Sequence, residues 1–264
     1  MRQARLILLK DVRHLWPQIS LVLTIVALDG WLDAATTGEF PFQPVLLGLW
    51  AISCAYLAAS AVQQESLAGH NQYWLTRPIS RSSLLLAKLG FLVLFAAAPR
   101  VIAGALALAL NGVSPLRHAP VLLANGFFCL TVALATAALA ALTEDLVQLL
   151  WLLLPVAALE IISLIRGGRD ANQANVAWIG ASVLAIIVLT AAFAILIVQY
   201  LRRRRFVSAG ILASAGAIVA FAPSLASWHA AFALQSRLSR SVEPAALILR
   251  KPQGRTGRRA LQCR

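Results

Sequence analysis

The chain has 264 residues, 60% hydrophobic and only 12% charged, with a mean hydropathy of +0.78. A soluble domain carries about a quarter charged residues, so this composition excludes a water-soluble globular fold. The net charge of +13 does not argue for nucleic acid. The basic residues lie in short segments between apolar runs and in the tail, where from Arg237 onward eight basic residues stand against one acid, Glu243.

In chain order, residues 1–15 do not read as a cleavable signal, because Lys10, Asp11, Arg13 and His14 interrupt the place of an apolar core. They read as an amphipathic elbow lying in the interface, with Leu6, Leu9, Val12 and Trp16 on one face and Arg5, Lys10 and Arg13 kept wet. Seven apolar segments follow: Trp16 to Leu32, Pro44 to Val62, Leu84 to Leu110, Pro120 to Leu142, Leu146 to Ile165, Val176 to Leu201, and Phe206 to Pro223. Most approach the ~20 residues that cross ~30 Å of hydrocarbon as a helix. The expected fold is all-α: a polytopic helical membrane protein with six or seven transmembrane helices. Its divisions are the elbow 1–15, a transmembrane bundle 16–224 with a loop 64–83, and a basic tail 225–264 that reads as largely disordered. Asn111-Gly112 with Pro115, and Gly167-Gly168, are turn chemistry. Thr143 is an N-cap candidate, with Glu144 and Asp145 in the first turn after it.

Orientation follows from Lys and Arg near span ends. With a cytoplasmic N-terminus, the inner segments hold Arg2, Arg5, Lys10, Arg13, Arg77, Arg81, Lys88 and Arg202 to Arg205, eleven in all, against Arg117, Arg166 and Arg169 outside. The seventh segment is rich in Ala, Gly and Ser. Either it crosses, leaving the basic tail outside against the rule, or it lies in the interface. Trp228 as a far-side anchor tips the balance to crossing. Small residues recur at four-residue spacing (Ala51, Ala55, Ala59; Ala133, Ala137, Ala141; Ala209, Ala213, Ala217), which suits close helix approach but equally reflects general alanine richness.

Three charges fall inside apolar segments: Asp29, Arg100 and Glu160. A charge at mid-bilayer costs about 2.5–3.5 kcal/mol on insertion scales, so an internal partner is expected. Arg100 is expected to pair with Glu160 or with Asp29, either as a polar patch lining a path or as a structural ion pair. Pro99 removes a backbone hydrogen bond and predicts a kink.

The longest polar interruption in the first half, Gln64 to Lys88, lies between the second and third spans. Pro78 disfavours helix at Arg77, and Ser80 then caps the helix that runs into the third span. Arg81 and Lys88 are expected near the headgroups, where long side chains snorkel. Glu65 to Trp74 reads as a short surface helix with a sticky end at Tyr73, Trp74 and Leu75, either an interfacial anchor or a docking surface.

The run P-I-S-R-S-S-L-L-L-A-K, Pro78 to Lys88, resembles the P-[small apolar]-S-R-x-x-[L/I]-L-x-[A/G]-K segment of type-2 ABC exporter permeases (the ABC-2 type transporter permease subunit). Glu65, Gly69, and Leu75 with Pro78 resemble the acid, glycine and Leu-x-x-Pro upstream of it, and Lys10-Asp11 with Arg13 matches the family's amphipathic elbow. By motif the resemblance covers the N-terminus through the third span, and by topology it reaches the sixth. It implies a permease core that dimerises, as a homodimer or a permease heterodimer, in the bacterial cytoplasmic (inner) membrane. An ATP-binding-cassette ATPase subunit would dock on the loop, and its closure would drive export. Carried over, Glu65, Gly69, Tyr73 and Trp74 belong to the coupling element, and Arg77, Pro78, Ser80, Arg81 and Lys88 to the junction with the third span. The seventh segment and the tail from Arg250 depart from the pattern, which suggests a shortened version of a longer relative.

No G-x-x-x-x-G-K-[ST], G-x-S-x-G or H-E-x-x-H occurs, so the chain is read as no enzyme. ATP would be used by the partner, with no cofactor bound here. His14, His70, His118 and His229 lack metal spacing, and Cys54, Cys129 and Cys263 form no C-x-x-C. The alternative function is a non-transporting membrane scaffold or immunity-type protein.

Overall fold

The computed structural model describes residues 2–35, 43–64, 80–143, 145–154, 177–202 and 204–225, all within one unit, Met1–Leu225. The expected tail lies, Leu225 apart, outside them. Every described element is helical: α1 (Arg2–His14), α2 (Trp16–Ala35), α3 (Gln43–Gln63), α4 (Arg81–Leu92), a π turn (Val93–Ala97), α5 (Ala98–Leu110), a 3₁₀ turn (Pro115–His118) and α6 (Ala119–Leu142). Residues 146–154 form α7. After them come α8 (Ala177–Ile197), a second π turn (Val198–Arg202) and α9 (Arg205–Leu225).

Five described helices are long and apolar enough to cross a membrane: Trp16–Ala35, Val45–Gln63, Arg81–Leu110, Pro115–Leu142 and Ser182–Arg202. The expected count of six or seven rests in part on residues outside those described. Ile52, Leu123 and Ile102 are each about two-thirds exposed (69%, 66% and 65%). Large apolar side chains standing out along whole helices mark a surface that meets lipid rather than water.

The bundle is built around α6, which packs along α3, α5 and α8; α2 lies against α3 and α5, and α9 against α8. On α6, Ala133, Ala137 and Ala141 are buried, so this small-residue stripe lets neighbouring helices of the same chain approach closely. The Ala209, Ala213 and Ala217 stripe of α9 is exposed instead. Gly126 marks a close crossing of α5 and α6: a Cβ there would lie 2.6 Å from the Val101 Cγ2 of α5. Gly112 turns the chain after α5 with a positive φ of 73°, a conformation glycine adopts without strain. Two buried hydroxyls of α6 are satisfied within the helix, Thr131 donating to the Phe127 carbonyl at 2.8 Å and Thr136 to Val132 at 2.9 Å.

Proline shapes two joints. Pro99 has no N–H for the Phe95 carbonyl, and the ladder opens just before it into the π turn, where the Ala98 N–H reaches back to Val93. The result is one long apolar helix, Arg81–Leu110, with a built-in irregularity. Between α1 and α2 only Leu15 intervenes. The Leu15 N–H still donates to Asp11 at 2.8 Å and Ile19 to Leu15 at 2.9 Å, while Pro17 has no N–H to give.

Of the α1 face expected to lie in the interface, Leu6, Leu9 and Trp16 are exposed, whereas Val12 is partly buried against the core; the side turned to the bundle is Ala4, Ile7, Asp11 and Leu15, with Leu8 partly buried. Both sides of this short helix carry apolar residues, and tertiary packing selects the one that includes the acid. Thr143 does not start the next helix. It ends α6, with its N–H bonded to Leu139 at 3.1 Å. The cap is two residues later, where the Gln148 N–H donates to the Asp145 carboxylate at 2.8 Å.

Candidate functional site

The two ends of the bundle differ in their chemistry. The near end gathers α1, the start of α4, the π turn Val198–Arg202 and the ends of α3 and α6. Ser80 sits in extended backbone (φ −71°, ψ 134°) and caps α4: its hydroxyl accepts from the Ser83 N–H at 3.3 Å and donates to the Ser83 hydroxyl at 2.6 Å. This is the cap expected once Pro78 ends the preceding segment. Arg81, the first residue of α4, donates from Nη1 to the Leu201 carbonyl at 3.0 Å. That contact joins the start of the third span to the end of the span carrying α8. Between α3 and α6, the Gln63 amide donates to the Thr143 hydroxyl at 3.3 Å.

Lys88 does not snorkel to the headgroups. Its ammonium lies 2.7 Å from the Asp11 carboxylate, with the two side chains only 3% and 0% exposed. The physical reason is its position on α4: Leu84, Leu85, Phe91 and Leu92 are buried on the same side, so a lysine there is carried into the bundle and must meet an acid. The sequence held the signal. Asp11 lies at i+4 from Ile7 and i−4 from Leu15, which makes it an acid in an apolar stripe, and Lys88 is a base in another. Reading each charge against its own helix turn, rather than against the nearest headgroup layer, pairs them.

At the far end, the Arg100 guanidinium of α5 is ion-paired with the Asp29 carboxylate of α2. Of the two partners named from the sequence, Asp29 is the one the structure brings to it; Glu160 lies outside the described residues. The Arg100 guanidinium carbon also stands 6.0 Å from the centroid of the Trp50 ring of α3, a cation–π distance that sequence reasoning missed, since nothing in the apolar pattern of α3 sets Trp50 apart. Trp50 is 1% exposed. A turn further along α2, Asp33 accepts from the Gln43 amide at 3.4 Å.

A third feature is an apolar cleft of about 330 Å³, lined by Leu89, Val93, Leu130, Leu134, Leu189, Thr190 and Phe193, beside the first π turn and between α4, α6 and α8. Cys54 and Cys129 are buried free thiols. Among the described residues no three His, Cys, Asp or Glu side chains gather into a metal-sized cluster. Of the residues assigned to the coupling element, Glu65, Gly69, Tyr73, Trp74, Arg77 and Pro78 lie outside the described residues; Ser80, Arg81 and Lys88 stand as given above.

Comparison with protein-family models, with curated proteins and with solved structures finds no match to the chain.

Proposed function

We propose that the chain is the membrane-spanning permease subunit of an ATP-binding-cassette exporter. On this reading a partner ATPase hydrolyses ATP, and its closure pushes on the loop 64–83 between the second and third spans. The observation that carries the reading is the mechanical connection of Ser80, Arg81 and Lys88. These residues lie in the segment that resembles the family junction, and each makes a different contact: Ser80 starts α4, Arg81 holds the Leu201 carbonyl, and Lys88 holds Asp11 of α1. A push delivered just before Ser80 travels along Arg81–Leu110 and takes α1 and the end of α8 with it. The π turn at Val93–Ala97 supplies a point of give within that helix.

Charge supports a cytoplasmic near end. Arg5, Lys10, Arg13, Arg81, Arg202, Arg204 and Arg205 are exposed there, against Arg117 at the far end. The N-terminus then lies in the cytoplasm, and the setting is a bacterial inner membrane. The expected assembly is two permease chains with two ATPase subunits, with no nucleic acid and no cofactor held by this chain.

The test is ATP hydrolysis by the partner subunit reconstituted with the permease. Glu65→Ala and Trp74→Ala are expected to lower permease-stimulated hydrolysis severalfold while membrane insertion is kept. Unchanged stimulation in both variants would remove the coupling role.

A further inference from the structure

The Asp11–Lys88 pair fixes more than the position of α1: it fixes its rotation. With Asp11 turned into the bundle, the helical step of about 100° per residue sends Arg5, Leu6, Leu9, Arg13 and Trp16 to the opposite side. All five are exposed, Leu6 at 66%, Leu9 at 54% and Trp16 at 58%. Neither Arg5 nor Arg13 has a partner among the described residues. The height of this face is also set. Only Leu15 separates α1 from α2, and α2 is a membrane-length helix from Trp16 onward. The outward face of α1 therefore sits at the membrane boundary, with three apolar side chains for the acyl layer and two unpaired guanidiniums among them.

We infer that this face is a binding surface for anionic phospholipid headgroups, with Arg5 and Arg13 each taking a lipid phosphate while Leu6, Leu9 and Trp16 enter the layer beneath. Charge complementarity selects the occupant. A zwitterionic headgroup leaves two cations uncompensated beside inserted apolar side chains, whereas an anionic one supplies both phosphate oxygens and net charge, and guanidinium forks match phosphate geometry. The inference does not rest on the permease reading, since lipid retention is measured with no ATPase present.

The experiment uses the full-length protein extracted from membranes and exchanged into nanodiscs of phosphatidylcholine mixed with phosphatidylglycerol, with retained lipids counted by native mass spectrometry. The wild-type protein is expected to retain phosphatidylglycerol over phosphatidylcholine, and Arg5→Gln/Arg13→Gln to lower that enrichment by about tenfold or more, the scale set by two surface cations. Both positions are exposed, so the variant keeps its internal contacts, and Arg5→Lys/Arg13→Lys is expected to hold most of the enrichment. Raised salt weakens it. A water-soluble glycerophosphate is expected not to displace the lipid, because it lacks the chains that Leu6 and Leu9 contact. Equal enrichment in wild type and R5Q/R13Q overturns the proposal. So does displacement by glycerophosphate alone, or the loss of a co-purifying protein rather than of lipid when the arginines are removed.

Discussion

Among the described residues, an acid–base pair joins two helices at the near end of this bundle and another at the far end, and the two pairs are solvated differently. Asp11 and Lys88 are 0% and 3% exposed and face each other at 2.7 Å. At Asp29 and Arg100 the arginine keeps 20% exposure and has the Trp50 ring beside it. A sealed pair locks two elements together, because removing either member strands the other charge in a dry place. A partly open pair tolerates change, because the survivor can be re-solvated or rest on an aromatic face. The near end is therefore built to hold α1 and α4 as one piece. The far end has a polar patch that can rearrange.

The largest expected effect breaks the sealed pair. Asp11→Ala, which removes the carboxylate 2.7 Å from the buried Lys88 ammonium, is expected to cost about 3–5 kcal/mol, seen as a large drop in the thermal unfolding midpoint of the purified protein. Replacing both residues, Asp11→Leu with Lys88→Met, is expected to recover most of the loss, and a double-mutant cycle measures the coupling. A loss in the double variant equal to the sum of the losses in Asp11→Leu and Lys88→Met alone would mean that the contact contributes nothing.

Next is the crossing of α5 and α6. Gly126→Val places a side chain where a Cβ alone would already lie 2.6 Å from Val101, and is expected to cost about 1–3 kcal/mol. Val101→Ala in the same chain should relieve part of it.

The open pair comes after. Asp29→Asn is expected to cost about 1–3 kcal/mol, less than the near-end change, with Trp50→Leu on top of it enlarging the loss by about 0.5–2 kcal/mol through the missing ring. If Asp29→Asn proves costlier than Asp11→Ala, the contrast between the ends is reversed. The smallest effect is Ser80→Ala, about 1 kcal/mol from loss of the α4 cap, read as earlier hydrogen exchange at the first turn of α4.

The helices were legible because apolar runs of membrane length need no partner to declare themselves, and the Ser80 cap because Pro78 dictates where a helix can start. The rotation of α1 was not, since Leu6 and Leu9 on one side and Ile7 and Leu15 on the other are equally apolar, and only contact with α4 separates them. The role of Lys88 was hidden for the same reason: distance along the chain from a loop suggests a headgroup position, whereas the stripe of Leu84, Leu85, Phe91 and Leu92 carries it inward. Arg100 demanded an acid, and two acids answered from sequence alone; the packing of α2 against α5 supplies Asp29. Trp50 gave no signal, because an aromatic in a membrane helix ordinarily needs no cation.

The most direct measurement of the permease account is site-specific photo-crosslinking from position 74 in native membranes. The account predicts a nucleotide-dependent adduct with an ATP-binding-cassette subunit, formed from the cytoplasmic side. Modification of a cysteine at position 74 by a membrane-impermeant reagent added outside intact cells, with no such adduct, would contradict it.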